Sequence, residues 1–76
     1  MEQTLILTPL YEPAENGWTD ASIREIPSVV TCAPPEEDIR EWLADALREY
    51  CLALENEGEP LPLGAARVDD LLLALR

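Results

Sequence analysis

The stretch that decides the fold is residues 25–62, EIPSVVTCAPPEEDIREWLADALREYCLALENEGEPLP. It opens with the end of a strand and a corner at residues 26–28, and we expect the corner to end that strand because proline cannot donate to a strand ladder. Residues 29–32 are apolar and partly β-branched, so they predict a short third strand, antiparallel to the second. Two prolines at positions 34 and 35 stop this strand.

One long amphipathic helix follows the prolines. Pro35 suits the first helical position because its φ is already set, and residues 36–38 then place three acidic side chains where the helix dipole favours negative charge. Over residues 39–54, apolar side chains recur at three- and four-residue steps, which is the period of one helical face. We expect about six turns, ended by Gly58 in a left-handed cap and by Pro60, which cannot continue a helix.

The apolar stripe of this helix supplies most of the expected core. It includes Trp42 and Cys51, and Cys32 of the third strand has similarly apolar neighbours. We expect both thiols to be small buried hydrophobic groups. A disulfide or a metal site is not expected, because the chain has no histidine and only two cysteines.

Two strands are predicted upstream of residue 25. Residues 4–10 are β-branched and aliphatic and suit an edge strand. Residues 11–17 contain an Asn-Gly pair, the strongest short signal for a hairpin turn. Residues 18–25 alternate between apolar and polar side chains, which predicts a second strand with Ala21 and Ile23 on its buried face.

Together these elements predict an α+β fold, in which a three-stranded antiparallel sheet packs on one long helix in the order β-β-β-α. The 76 residues form a single domain, with a core over residues 4–58 and a C-terminal tail over residues 59–76. Composition and the spacing of apolar residues favour a short helix over residues 65–76. A fourth strand is the alternative, because residues 71–75 form a continuous apolar run.

Composition narrows the classes of function. Sixteen acidic residues face five basic ones, for a formal net charge of −11, and such a chain repels phosphate backbones and anionic lipids. We therefore expect no direct binding to nucleic acid or to membranes. Without histidine, a Gly-rich phosphate loop or a metal-ligand spacing, the sequence predicts neither an enzyme nor a cofactor or metal.

Size and targeting signals lead to two further expectations. A chain this short buries a thin core, so we expect a homodimer to supplement its stability. No secretory signal pattern is recognisable, which predicts a cytoplasmic location.

The order of the elements and their corner residues resembles the HicB-like antitoxin family, in particular its N-terminal domain. The similarity covers about residues 4–62 and is most specific at the Glu-Ile-Pro corner and the Tyr…Gly-Glu-Pro-Leu-Pro exit. The usual Gly-Cys after the corner is absent, and two prolines stand where the family has a polar helix cap. The matching residues are Trp18, Ala21, Ile23, Glu25, Ile26, Pro27, Thr31, Glu37, Ala46, Tyr50, Leu54 and residues 58–62.

The resemblance implies a partly degraded ribonuclease-H-like fold without nuclease activity. It also implies a partner, a small basic messenger-RNA interferase toxin of the HicA type, whose active site such a domain covers. The net charge of −11 favours a basic partner by attraction between opposite charges, independently of the resemblance. The residues that we expect to bind this partner are Trp18, Asp20, Ser22, Arg24 and Glu25.

Other interpretations stay open at this stage. Trp18 either anchors the partner, as tryptophan often does at hot spots, or covers the end of the sheet. A self-associating structural or adaptor domain without a toxin is the main alternative function, with residues 4–10 or residues 68–75 pairing across a two-fold axis. A mimic of nucleic acid, with carboxylates at phosphate spacing, is a third.

Overall fold

The computed structural model of the chain describes residues 5–75. It has an α+β fold, as the sequence predicts, with the long helix packed on one face of an antiparallel sheet and a short C-terminal helix packed against the long one. Within residues 5–75, neither helix has the run of apolar side chains that crossing a bilayer requires. The elements are β1 (Pro9–Pro13), β2 (Thr19–Ile23), β3 (Ile26–Ala33), α1 (Ile39–Asn56) and α2 (Val68–Ala74), with short 3₁₀ turns at Glu15–Gly17 and Pro62–Gly64.

The first strand lies later in the chain than predicted. The sequence places it at residues 4–10, whereas β1 starts at Pro9, and Thr4 lies outside the described residues. Residues 5–8 are not in the sheet. Leu7 is buried beside α2, and its N–H donates to the carbonyl oxygen of Ala74 at 3.1 Å. This aliphatic segment is therefore stabilised by packing against a helix rather than by strand pairing.

The predicted hairpin turn at the Asn-Gly pair is confirmed. Asn16 and Gly17 both have positive φ, 61° and 80°, a conformation that these two residue types tolerate best. The N–H of Ala14 donates to the carbonyl oxygen of Trp18 at 2.8 Å and closes the hairpin. β1 and β2 then pair antiparallel, with Tyr11 opposite Ala21.

The corner after β2 differs from the prediction. Arg24 and Glu25 form the turn, and β3 already begins at Ile26, which pairs with Ile23. Ser22 pairs with Val30, so residues 27–29 have no partner in β2 and form a bulge. Proline at position 27 is tolerated because β3 is an edge strand and its outward groups need no ladder partner.

Helix α1 begins at Ile39, four residues later than the start expected at Pro35. Asp38 is its N-cap, and a carboxylate oxygen of Asp38 accepts a hydrogen bond from the N–H of Arg40 at 2.9 Å. The expected start at Pro35 is therefore wrong, and residues 36–38 precede the helix rather than fill its first turn. The helix keeps a polar cap after all, because Asp38 satisfies a free N–H of the first turn.

The end of α1 agrees with the prediction. Gly58 has a φ of 72°, and the N–H of Glu59 donates to the carbonyl oxygen of Leu54 at 2.9 Å. These features define a Schellman cap, in which glycine supplies the left-handed conformation. At 18 residues, α1 makes five turns, one fewer than expected.

The core lies between the sheet and the two helices. Leu43, Leu47 and Cys51 recur every four residues along α1 and are fully buried. They pack with Ala21 and Ile23, which confirms the predicted alternation of β2.

Two residues predicted in the core lie outside it. Trp42 is 38% exposed, because one step from Leu43 turns it about 100° away from the buried stripe. Cys32 is exposed as well, since it follows Val30 on the side of β3 that faces away from the helices. Cys51 is buried as predicted, and both thiols are free.

The tail forms a helix, and not the alternative fourth strand. Leu71 of α2 has no exposed surface and joins the core, whereas its neighbour Leu73 is 66% exposed. The predicted helix over residues 65–76 is confirmed for Val68–Ala74, and Arg76 lies outside the described residues.

Candidate functional site: the open face of the sheet

One face of the sheet is not covered by either helix. Alternation of side chains along each strand sends every second residue to this side, and the register aligns these residues across all three strands. We call this surface the open face. A shallow depression of about 480 Å³ runs across it. The side chains of the open face are Leu10, Glu12, Asp20, Ser22, Val30 and Cys32.

The side chains of the open face form two rows perpendicular to the strands. In the acidic row, Glu12 lies opposite Asp20, which lies opposite Cys32. In the apolar row, Ser22 lies between Leu10 and Val30, which are 45% and 65% exposed. The face therefore presents negative charge along one line and exposed aliphatic surface along the next.

The negative charge of the acidic row is uncompensated. Carboxylates directly opposite each other on neighbouring strands repel, since their Cβ atoms are about 5 Å apart. Within residues 5–75, the ion pairs join Arg40 to Asp38, Arg48 to Asp45 and Arg67 to Asp69, and none of them involves the open face. A cation approaching this face would relieve the repulsion between Glu12 and Asp20.

The structure brings together two of the five residues predicted to bind a partner. Asp20 and Ser22 both lie on the open face. Trp18 precedes β2 at the hairpin end of the sheet and is 40% exposed, so it borders the acidic row. Arg24 and Glu25 form the turn at the opposite end of β2 and are separated from Trp18 by the length of the strand.

Glu25 has a structural role in this turn. Its carboxylate accepts hydrogen bonds from the N–H of Thr8 at 2.7 Å and from the Thr8 hydroxyl at 2.8 Å. These two bonds, the backbone one first, lower the pKa of Glu25 below its ordinary value. The N–H of Arg24 also donates to the Thr8 carbonyl oxygen at 3.0 Å. The turn thus fixes the chain just before β1, and the Glu25 carboxylate is hydrogen-bonded to Thr8.

Sequence reasoning missed four residues of the open face. The predicted first strand, residues 4–10, ends at Leu10 and leaves out Glu12, whereas β1 spans Pro9–Pro13. Val30 and Cys32 are two positions apart in β3, and this spacing indicates that they lie on the same face of the strand. The positions become one surface only through the register, which joins residues far apart in the chain.

A second concavity, of about 890 Å³, lies between β1, the start of α1 and α2. Tyr11, Arg40 and Arg48 contribute to its lining. Both guanidinium groups are engaged: Arg40 forms an ion pair with Asp38 at 3.1 Å, and Arg48 with Asp45 at 2.9 Å. The Arg40 side chain, followed by its N–H, lowers the pKa of Asp38.

Two observations on the described residues concern metal ligands and thiols. Among residues 5–75, no group of three or more cysteine, aspartate or glutamate side chains is placed to hold a metal ion. Burial raises the pKa of the Cys51 thiol, which keeps that thiol protonated and unreactive.

Comparison of the chain with protein-family models, with curated proteins and with solved structures gave no match. The resemblance to HicB-like antitoxins therefore stays a prediction from the sequence. The β-β-β-α order is the one that the sequence predicts. Because one fold serves many functions, the function has to be argued from the open face itself.

Proposed function

We propose that the chain is a non-catalytic binding module that binds and masks a small basic protein through the open face of its sheet. The observation that carries the proposal is the uncompensated acidic row beside an exposed apolar row. Buried apolar area supplies affinity at protein interfaces, whereas charge complementarity supplies specificity and speeds association. The open face combines both within three strands.

The family that the sequence resembles indicates the class of partner. A HicA-like messenger-RNA interferase is small and basic, and its RNA-binding surface is positively charged. Glu12 and Asp20 would meet that surface, with Leu10 and Val30 packing beside them. Such a partner acts on messenger RNA, so the proposal places the chain in the cytoplasm.

The proposal revises the set of binding residues. Asp20 and Ser22 stay in it, and Trp18 is at its rim because of its exposure beside the acidic row. Arg24 and Glu25 leave it: Glu25 is bound by Thr8, and Arg24 would repel a basic partner. Leu10, Glu12, Val30 and Cys32 enter it.

The alternative function, a self-associating structural domain without a toxin partner, also has an observation in its favour. The outer edge of β3 is free and carries no charge between Ile26 and Ala33. An edge of this kind suits pairing with another strand. Self-association through an edge leaves the open face accessible, so the two functions are separable by experiment.

The proposal is tested by co-expression with the product of the neighbouring reading frame, which we expect to be a short basic protein. We expect that protein to stop growth when expressed alone, and the present chain to restore growth and to co-purify with it. Neutralising the acidic row with Glu12→Gln and Asp20→Asn should weaken the complex by about tenfold or more, which corresponds to about 1.4 kcal/mol.

A matched control carries Glu49→Gln and Glu55→Gln, which remove the same charge from exposed positions of α1. This control should bind within about threefold of the native chain, because distant surface charges are screened at physiological salt. A neighbouring protein that is harmless, or equal weakening by both pairs of substitutions, would contradict the proposal. The second outcome would mean that only total charge matters.

A further inference from the structure

The hydrogen bonds of β2 identify which backbone N–H and C=O groups of β3 lie at the outer edge of the sheet. The N–H of Arg24 and the carbonyl oxygen of Trp18 both bond toward β1, and the direction alternates along a strand. Asp20 and Ser22 therefore bond to β1, whereas Thr19 and Ala21 bond to β3. The partners of Thr19 and Ala21 in β3 are Ala33 and Thr31, so the N–H and C=O groups of these two residues point toward β2. Val30 and Cys32 alternate with them along β3, and their N–H and C=O groups therefore point away from β2.

The outward groups of Val30 and Cys32 have no partner in the described part of the chain. No loop, cap or helix backbone bonds to them, and neither do the side-chain hydrogen bonds of residues 5–75. Val30 is in addition 65% exposed. β3 thus ends the sheet with a row of free donors and acceptors, which is a template for another strand.

The other edge of the sheet is blocked. By the same alternation, the backbone groups at the outer edge of β1 belong to Pro9, Tyr11 and Pro13. The two prolines have no N–H, so Tyr11 supplies the only outward donor of this strand. Pairing through the first strand, one of the two arrangements that the sequence suggested for a dimer, is therefore disfavoured.

The charge distribution indicates which molecule pairs with the β3 edge. Residues 26–35 form the longest stretch of the chain without a charged side chain, in a sequence of net charge −11. Two copies of this chain repel each other almost everywhere, and an uncharged edge is where they meet with the least repulsion. A basic partner, in contrast, is drawn to the acidic row and gains nothing from an uncharged strand.

We infer that β3 pairs with β3 of a second copy. The two strands run antiparallel across a two-fold axis, and their sheets join into one sheet of six strands. The outward N–H and C=O groups of Val30 and Cys32 bond to the second copy, and the exposed side chain of Val30 packs against it. This dimer goes beyond the proposed function, because it uses the backbone edge of β3 whereas the partner interface uses side chains of the open face; Val30 belongs to both.

The inference is tested by sedimentation equilibrium of the full chain, whose monomer mass is 8.5 kDa. We expect a dimer of twice that mass, and a dissociation constant at least about tenfold higher for Val30→Asp, because the substitution brings two new carboxylates within about 8 Å of each other. Leu10→Asp is the matched control, since Leu10 is also exposed on the open face but lies on β1. It should leave the dissociation constant within about threefold of the native value, as its charges stay two strands away.

Salt separates this inference from the proposed function. Raising the salt from about 50 mM to about 500 mM screens the repulsion between two acidic copies, so the dimer should tighten, whereas a complex with a basic partner should weaken. A dimer that weakens with salt would overturn the inference. So would a native chain that is monomeric at all concentrations, or a Leu10→Asp effect as large as that of Val30→Asp.

A measurement on the native chain keeps the test independent of whether Val30→Asp folds. The amides of Val30 and Cys32 should exchange with solvent slowly at high protein concentration and rapidly on dilution, because only the second copy protects them. The amide of Thr31, which bonds inside the sheet, should be protected at both concentrations. Protection of Val30 and Cys32 that does not change with concentration would overturn the inference.

Discussion

Replacing Leu71 by alanine is the sharpest test of how the C-terminal helix is held. Leu71 is the one fully buried side chain of α2 and packs in the same cluster as Leu43 and Ile23. The substitution removes three carbon atoms, or roughly 2.4 kcal/mol at about 0.8 kcal/mol each. The cavity left behind raises the loss to about 3–4 kcal/mol. A domain of this size has a net stability of about 3–5 kcal/mol, so the variant should be close to unfolded.

The assay is urea unfolding at one fixed protein concentration, followed by far-UV circular dichroism and by tryptophan fluorescence. Leu73→Ala is the matched control, because Leu73 lies in the same helix and is 66% exposed. We expect the control to change the free energy of unfolding by less than about 0.5 kcal/mol. The Leu71→Ala midpoint should fall nearly to zero urea, with both probes changing together.

Two results would refute this reasoning. Equal effects of Leu71→Ala and Leu73→Ala would show that α2 does not dock through Leu71. A loss of helical signal with an unchanged midpoint would show that α2 detaches alone. The seven residues of α2 are too few to stay helical without packing, so detachment would be visible as lost helicity.

Two further predictions concern titratable groups. Because Thr8 lowers the pKa of Glu25, ionised Glu25 stabilises the fold above its ordinary value of about 4.5, and this contribution is lost as the pH falls through the lower pKa of the folded state. Glu25→Gln should therefore be less stable than the native chain at pH 7 and should approach it in thermal unfolding at low pH; a deficit independent of pH would contradict the role of the carboxylate. For the thiols, a maleimide reagent should modify Cys32 at once in the folded chain and Cys51 only on unfolding, since burial raises the pKa of Cys51 and shields it. Equal labelling rates, read by mass spectrometry, would contradict the burial of Cys51.

The parts of the fold that the sequence predicted correctly are those set by local patterns. The alternation around Ala21 and Ile23, the Asn-Gly turn and the cap at Gly58 each depend on neighbouring residues only. The α+β class followed from their order. The C-terminal helix was also predictable from the sequence, since Val68–Ala74 combines helix-forming residues with a buried position at Leu71.

The errors arose where two local signals competed or where the decisive contact was distant. Pro35 and Asp38 both mark a helix start, and the spacing of Asp38 and Glu41 is that of a capping box, which was the better signal. Residues 5–8 suited a strand, but the position of α2 decided their packing.

The candidate site was only half predictable for the same reason. Asp20 and Ser22 follow from the alternation of β2 alone. Glu12 joins them through the register of β1 on β2, which the Asn16-Gly17 turn sets. Cys32 joins them through the register of β3, which depends on the turn at Arg24 and on the bulge of residues 27–29. Nothing near Glu25 in the sequence indicates that its carboxylate is bound by Thr8, 17 positions away.

The hydrogen bond between Leu7 and Ala74 has a consequence for how this domain can be joined to others. It brings positions near both ends of the described chain to one corner, on the β1 side of the sheet. That corner is about 10 Å, or two strand spacings, from β3. A tag or a fused domain attached before Leu7 or after Ala74 would leave from this corner. Short linkers can therefore connect the domain to other proteins without obstructing its β3 edge.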